Sequence, residues 1–125
     1  MTQSFRYELK CSCGEVFESE LYESINATIN PDLMGKLFND ELNVVKCPSC
    51  GHEIKVDIPL LYHDMKQKLM VYYFPEDFEG IKEANKSFRK KIINMMKKHS
   101  STEGYEYDVA IGMEELNRKV LWRNY

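Results

Sequence analysis

Apolar and polar positions along the chain follow two alternating rhythms. Phe5 to Leu9 runs into Cys11-Ser12-Cys13-Gly14, after which Phe17, Ser19 and Leu21 fall on every second position. A period of two marks a pleated, half-buried strand, so this segment reads as strand, turn, strand. The design then recurs. Val44, Val45 and Lys46 lead into Cys47-Pro48-Ser49-Cys50-Gly51, followed by Ile54, Val56 and Ile58 on alternate positions. Superposing Gly14 on Gly51 also superposes Phe17 on Ile54 and Leu21 on Ile58, which makes the two segments an imperfect pseudo-repeat.

Between the copies, Asn30-Pro31-Asp32 reads as a helix N-cap followed by proline at the first helical position. Leu33, Met34, Leu37 and Phe38 then gather on one side of a short helix that Asn39-Asp40 ends. Pro59 to Asp64 forms an apolar corner, and Leu69 to Phe74 is aromatic and β-branched enough for a strand, closed by Pro75. From Glu76 to His99 the period changes. Phe78, Ile81, Ala84, Phe88, Ile92 and Met95 or Met96 recur every three or four residues and predict one long amphipathic helix. Glu76, Asp77 and Glu79 at its start and Lys97, Lys98 and His99 at its end suit the helix dipole. After Ser100 to Gly104, Tyr105, Tyr107, Val109 and Ile111 alternate as a strand, Gly112 turns, and Met113 to Lys119 predicts a second short helix.

The 125 residues are the size of one domain, and 43% hydrophobic content supplies a core. No low-complexity linker divides residues 1–125; position 75 separates a cysteine-bearing region, 1–75, from a helical and strand extension, 76–125, expected to pack on it. The net charge of −3 denies the whole chain a basic protein's footprint, so any anion-binding surface is local. The first ten residues lack an apolar core like that of a secretion signal, and Leu69 to Phe74 is far too short to span a bilayer. We therefore expect a cytoplasmic domain with no membrane association, where four cysteines point to metal or redox chemistry before structural disulfides.

A tetrahedral zinc site takes four soft ligands at about 2.3 Å, and two tight turns supply them as two pairs. Cys11 and Cys13 form one pair, Cys47 and Cys50 the other. In the second turn Pro48 restricts the bend and Gly51 lets the backbone turn without a Cβ clash. The first pair has one intervening residue instead of two, so its spacing does not guarantee that backbone N–H groups support the first thiolate. The stretch between the pairs is longer than a common zinc ribbon's, and the short helix fills it. A closed shell of four sulfurs leaves no position for water, which makes a Zn2+ ion here structural. The competing readings are a redox dithiol, kept open by Lys10 and Lys46 beside the leading cysteines, an iron–sulfur or other metal centre, and unliganded thiols. His52 is an alternative ligand or an ordinary residue at the start of a strand.

Cys47-Pro48-Ser49-Cys50-Gly51-His52, the preceding Asn43-Val44-Val45, and Pro59-Leu60-Leu61-Tyr62-His63-Asp64 together resemble the CpXC protein family. Ile25-Asn26-Ala27 and Asn30-Pro31-Asp32-Leu33 fit it as well, and the likeness runs from about Glu8 to Pro75. Where the resemblance leads one to expect Cys-Pro-x-Cys in the first turn, this chain has Cys11-Ser12-Cys13. The resemblance implies a small prokaryotic zinc-binding domain and names no activity.

Two further places carry candidate chemistry. Tyr62, His63 and Asp64 adjoin in an apolar corner, where an acid/base pair, a ligand or partner contact, or a structural role with Tyr62 in the core and Asp64 capping a turn would each fit. Neighbours in a strand face opposite ways, and no nucleophile or phosphate-binding loop accompanies them. Lys86, Arg89, Lys90, Lys91, Lys97 and Lys98 concentrate positive charge on the long helix, with no Asp or Glu between Ala84 and Thr102. That face is a possible nucleic-acid contact, with Tyr105 or Tyr107 stacking, an acidic-protein contact, or a solvated surface. The expected fold is α+β: a zinc-ribbon-like β element with an extended antiparallel sheet under one long amphipathic helix. The expected function is a non-enzymatic adaptor for a protein partner. Nucleic-acid binding is the leading alternative, and a redox or hydrolytic enzyme comes third.

Overall fold

The computed structural model describes residues 2–76, 86–99 and 104–121. The described strands are β1 (Gln3–Lys10), β2 (Val16–Asn26), β3 (Val44–Lys46), β4 (Glu53–Lys55), β5 (Leu60–Asp64), β6 (Leu69–Phe74) and β7 (Glu106–Ile111); of the alternating Ile54, Val56 and Ile58, only Ile54 lies in a strand. The stretches with helical spacing become α1 (Pro31–Phe38), α2 (Lys86–His99) and α3 (Met113–Val120). Asn30 and Pro31 do start α1, although the Asn30 carboxamide is turned away to accept the Thr2 hydroxyl at 2.6 Å. Asn39 ends the helix, and Asp40 takes a left-handed turn at φ 58°.

The main sheet has the order β1-β2-β5-β6-β7, and β3 with β4 forms a separate antiparallel ribbon. The class is α+β, but the expectation of an antiparallel sheet is corrected: β2 pairs with β5, and β6 with β7, in parallel. Parallel neighbours require a crossover connection. The α1 and ribbon segment supplies the first, and the segment containing α2 the second. In place of the expected apolar corner at Pro59 to Asp64, Leu60–Asp64 is the central strand β5. The long helix expected from Glu76 to His99 is described only in its second half. The described helix is the 14-residue α2, Glu76 lies in a turn outside it, and the expected first half, 77–85, falls outside the described residues.

Helices cover both faces of the sheet. On one face, α1 gives Leu33 and Leu37, and α3 gives Leu116 and Val120, to a core with Ile25, Tyr62, Leu69 and Val71. On the other, Phe88, Ile92 and Ile93 of α2 pack on Tyr72, Phe74, Val109 and Ile111. Met96 is the buried member of the methionine pair and Met95 is exposed. The sheet and its core thus draw strands and helices from both sides of Pro75.

The rim at β7 is closed by side chains. Arg89 donates to the Val109 carbonyl at 3.2 Å and forks onto the Glu115 carboxylate, while the Asp108 carboxylate accepts the Val109 N–H at 2.8 Å and Lys119 at 2.8 Å. Arg89 therefore ties α2 to α3 around the edge strand and satisfies a carbonyl that no described strand reaches. Two-pronged charge-assisted bonds of this kind outweigh exposed lysine contacts. Arg89→Ala is expected to lower the unfolding free energy by about 1–3 kcal/mol in urea titrations, and Lys90→Gln by no more than about 0.5 kcal/mol.

Candidate metal centre

The four cysteines stand at the tips of two hairpins. Cys11 to Gly14 joins β1 to β2, whose registers run from Lys10↔Val16 outward, and Cys47 to Gly51 joins β3 to β4 above Lys46↔Glu53. Each tip is folded by its own backbone. The Cys11 N–H donates to the Glu15 carbonyl and the Gly14 N–H to the Cys11 carbonyl, both at 2.9 Å; Cys47 to His52 and Gly51 to Cys47 repeat this at 2.9 Å. The first tip is one residue shorter, and both of its bonds span one residue fewer, so the shortened spacing is absorbed without losing the pattern. Gly14 at φ 98° and Gly51 at φ 75° occupy the left-handed region in which a side chain is strained.

The ribbon is brought to the first hairpin by Asn43. At φ 59° its carboxamide accepts the Tyr22 N–H at 2.8 Å and donates to the Tyr22 carbonyl at 3.0 Å, as a paired strand would. β5 pairs with β2 only from Ser24 to Asn26 and so leaves this side of Tyr22 to Asn43; β2 also carries an extra residue here, since Gln3 faces Ser24 whereas Ser4 faces Tyr22. The Asn43 carbonyl in turn accepts the Val56 N–H at 2.9 Å and holds the base of the ribbon.

With the hairpins so placed, the four sulfurs all lie within 4.8 Å of one another, Cys11 to Cys50 at 3.5 Å and Cys13 to Cys47 at 3.7 Å. These separations are far longer than a disulfide bond, and the cysteines are free. Metal–sulfur bonds of about 2.3 Å in a tetrahedron give sulfur–sulfur edges of about 3.8 Å, so the set fits a metal ion. Cys11 and Cys47 are buried, Cys13 and Cys50 exposed.

Thiols this close influence one another's ionisation. The Cys13 backbone N–H, followed by the neighbouring thiols, pulls Cys11 down to about 6 against the cost of burial. The Glu15 N–H favours the Cys13 thiolate, yet Cys11, burial and the second pair together push Cys13 up to about 12. Cys50 is also raised, since Cys11 and burial outweigh the His52 N–H. The Cys11 thiolate forms readily, and Cys13 and Cys50 resist joining it; a cation removes that resistance. The backbone support that the short spacing did not guarantee is present at Cys11.

Comparison with known families matches the CpXC protein model over residues 9–124. The chain belongs to the CpXC family. The match continues well past Pro75, through α2, β7 and α3. No curated protein and no solved structure matches the chain.

The other candidate residues of this CpXC chain are dispersed. His52 is exposed and outside the sulfur cluster; its carbonyl and N–H serve the second tip. Tyr62, His63 and Asp64 lie along β5 and alternate in burial, so His63 faces away from the other two. Tyr62 is fully buried edge-on to Phe38, its hydroxyl has no hydrogen-bond partner among the described residues, and burial pushes its ionisation up. Asp64 accepts the N–H groups of Lys66 at 3.0 Å and Gln67 at 3.1 Å, capping the turn into β6. His63 shares a 2.8 Å hydrogen bond with Tyr105, and burial lowers its pKa, which favours the neutral ring. Lys90, Lys91, Lys97 and Lys98 are exposed on α2, Arg89 is engaged at the rim, and the Lys86 side chain falls outside the described residues. Among the described residues no helix is long and apolar enough to cross a membrane.

Sequence reasoning missed Asn43 as a positioning residue. Its signal was an asparagine immediately before a strand, a type that tolerates positive φ and bonds backbone through its side chain. The two tip glycines give a direct check on the turn geometry. An added Cβ meets nothing within 4 Å at Gly14, Gly51 or Gly35, but only the first two have positive φ. Gly14→Ala and Gly51→Ala should each cost about 1 kcal/mol in thermal or urea unfolding, whereas Gly35→Ala, inside α1, should gain about 0.5–1 kcal/mol.

Proposed function

We propose that this CpXC protein is a non-enzymatic interaction module in which Cys11, Cys13, Cys47 and Cys50 hold one structural zinc ion. The observation that carries the reading is the convergence of four sulfurs, two from each hairpin tip, at separations matching the edges of a tetrahedral thiolate shell. Soft thiolates select zinc or iron over magnesium or calcium, and four of them leave no site for a reactive water. When bound, zinc supplies a cross-link that neutralises the thiolates. The chain's own part is to aim the sulfurs through the tip glycines and the backbone N–H groups of Cys13, Glu15 and His52. A zinc-ribbon-like element describes this pair of hairpins, and a reducing, cytoplasmic setting keeps its thiols available. Tyr62 and Asp64 have structural work in the core and the β5–β6 turn, which favours an adaptor over a hydrolase.

Native protein purified without added metal should carry one zinc per chain. Cys47→Ser or Cys50→Ser should lower Tm by on the order of 10 °C and release the ion, as should a strong chelator. Native material that contains no metal and yet keeps its full Tm overturns the zinc assignment. A reversible Cys11–Cys13 or Cys47–Cys50 disulfide in that material would replace it with redox chemistry.

A second reading, nucleic-acid binding, rests on the four exposed lysines of α2. The spacing of Lys90, Lys91, Lys97 and Lys98 places them on the side of the helix away from Phe88, Ile92 and Met96. Replacing all four with glutamine should weaken binding to a DNA or RNA duplex and flatten the log–log salt slope by about 0.9 for each phosphate no longer neutralised. Equal affinity at every salt concentration removes this reading.

A further inference from the structure

The two edges of the main sheet are treated differently. At β7, Arg89 and Asp108 occupy the carbonyl and N–H of Val109. At the other edge, β1 runs for 8 residues, and among the described residues its strand partner is β2 alone. A long edge with unpaired N–H and C=O groups is a template for another strand. Its side chains divide cleanly. Phe5, Tyr7 and Leu9 share one face with their partners Leu21, Ser19 and Phe17, while Arg6, Glu8 and Lys10 lie on the other. Phe5 is 48% exposed despite its size. On the charged face Glu8 stands directly opposite Glu18, and the nearby Arg6 reaches Glu18 only at 3.5 Å, with both side chains 64% exposed. A cation beside Glu8 would offset this like-charge pairing.

We propose that β1 pairs antiparallel with β1 of a second copy, joining two five-stranded sheets into one. Symmetry and the pleat fix the register. Opposed residues in an antiparallel pair point to the same face, so the two-fold axis must pass midway between one residue and its own copy. An axis at Arg6 sets Arg6 against itself. An axis at Glu8 sets Glu8 against itself and Arg6 against Lys10. An axis at Phe5 or Leu9 uses only part of the strand. The axis at Tyr7 spans Ser4 to Lys10 and sets Arg6 of each copy against Glu8 of the other, with Phe5 against Leu9 on the apolar face. That register supplies the missing cation beside Glu8 twice and covers the exposed ring of Phe5 twice.

Sedimentation equilibrium or light scattering on the full, metal-loaded chain should show a monomer–dimer equilibrium that weakens with salt. Arg6→Glu sets like charges against Glu8 of the second copy, and Glu8→Arg does so against Arg6, so each should raise the dimer Kd about tenfold. An equimolar mixture of the R6E and E8R chains should dimerise as the parent does, because each supplies the charge the other lacks, and the R6E/E8R double variant should also recover. Thermal melts identify any variant that has lost its fold, and the mixture and double variant then decide. A monomeric mass at all concentrations up to about 1 mM overturns the proposal, as does a dimer whose Kd neither single variant changes or that mixing fails to restore. A monomer that instead gains a strand from an extended peptide would assign the same edge to a different partner and equally overturn it.

Discussion

Four thiols cannot share a space this small as anions unless a positive charge sits among them. The Cys13 N–H draws Cys11 down, whereas at Cys13 and Cys50 the Glu15 and His52 N–H groups are outweighed by the Cys11 thiol and burial, and the sulfurs of the two hairpin tips meet where these opposed shifts arise. The β1–β2 hairpin belongs to the main sheet through Ser24 to Asn26, and among the described residues its far end has no other strand beside it. Among the described residues the β3–β4 ribbon has no strand partner in the main sheet. A cation at the sulfurs would therefore fasten together the two elements that the hydrophobic core reaches least.

Away from the sulfurs, the molecule is held by ordinary burial. Tyr62, Leu21, Leu69, Val71 and Leu116 are almost wholly enclosed, and the sheet takes helices on both faces. Arg89 is the hinge pin of this region, because one guanidinium contacts the sheet's outer strand and the helix beyond it. Its charge is spent on the fold, which separates it chemically from the lysines that follow it in sequence.

Much of this was legible in the sequence because the signals were local. The two cysteine turns, the start of α1 at Asn30-Pro31, the strands at Leu69 and Tyr105, and α3 after Gly112 each announce themselves through spacing or a capping residue within a few positions. What the sequence hid depends on partners far along the chain. The parallel pairing of β2 with β5 and β6 with β7 follows from how connections cross, which no period records. Tyr62, His63 and Asp64 looked like a corner because Pro59 precedes them; the strand emerges only when β2 and β6 flank it. Arg89 was indistinguishable from its basic neighbours until Glu115 and the Val109 carbonyl were beside it. The sulfur cluster was readable as residues but not as geometry, since the missing position in the first turn could be judged only from the backbone that absorbed it.

The carboxamide of Asn43 has a kinetic meaning. By imitating a strand against Tyr22, it docks the ribbon with neutral hydrogen bonds that do not depend on the ionisation of any thiol. If the cysteines take up an ion, the cage would then be nearly assembled before it arrives, and uptake would not have to wait for a loose loop to find its second pair of donors.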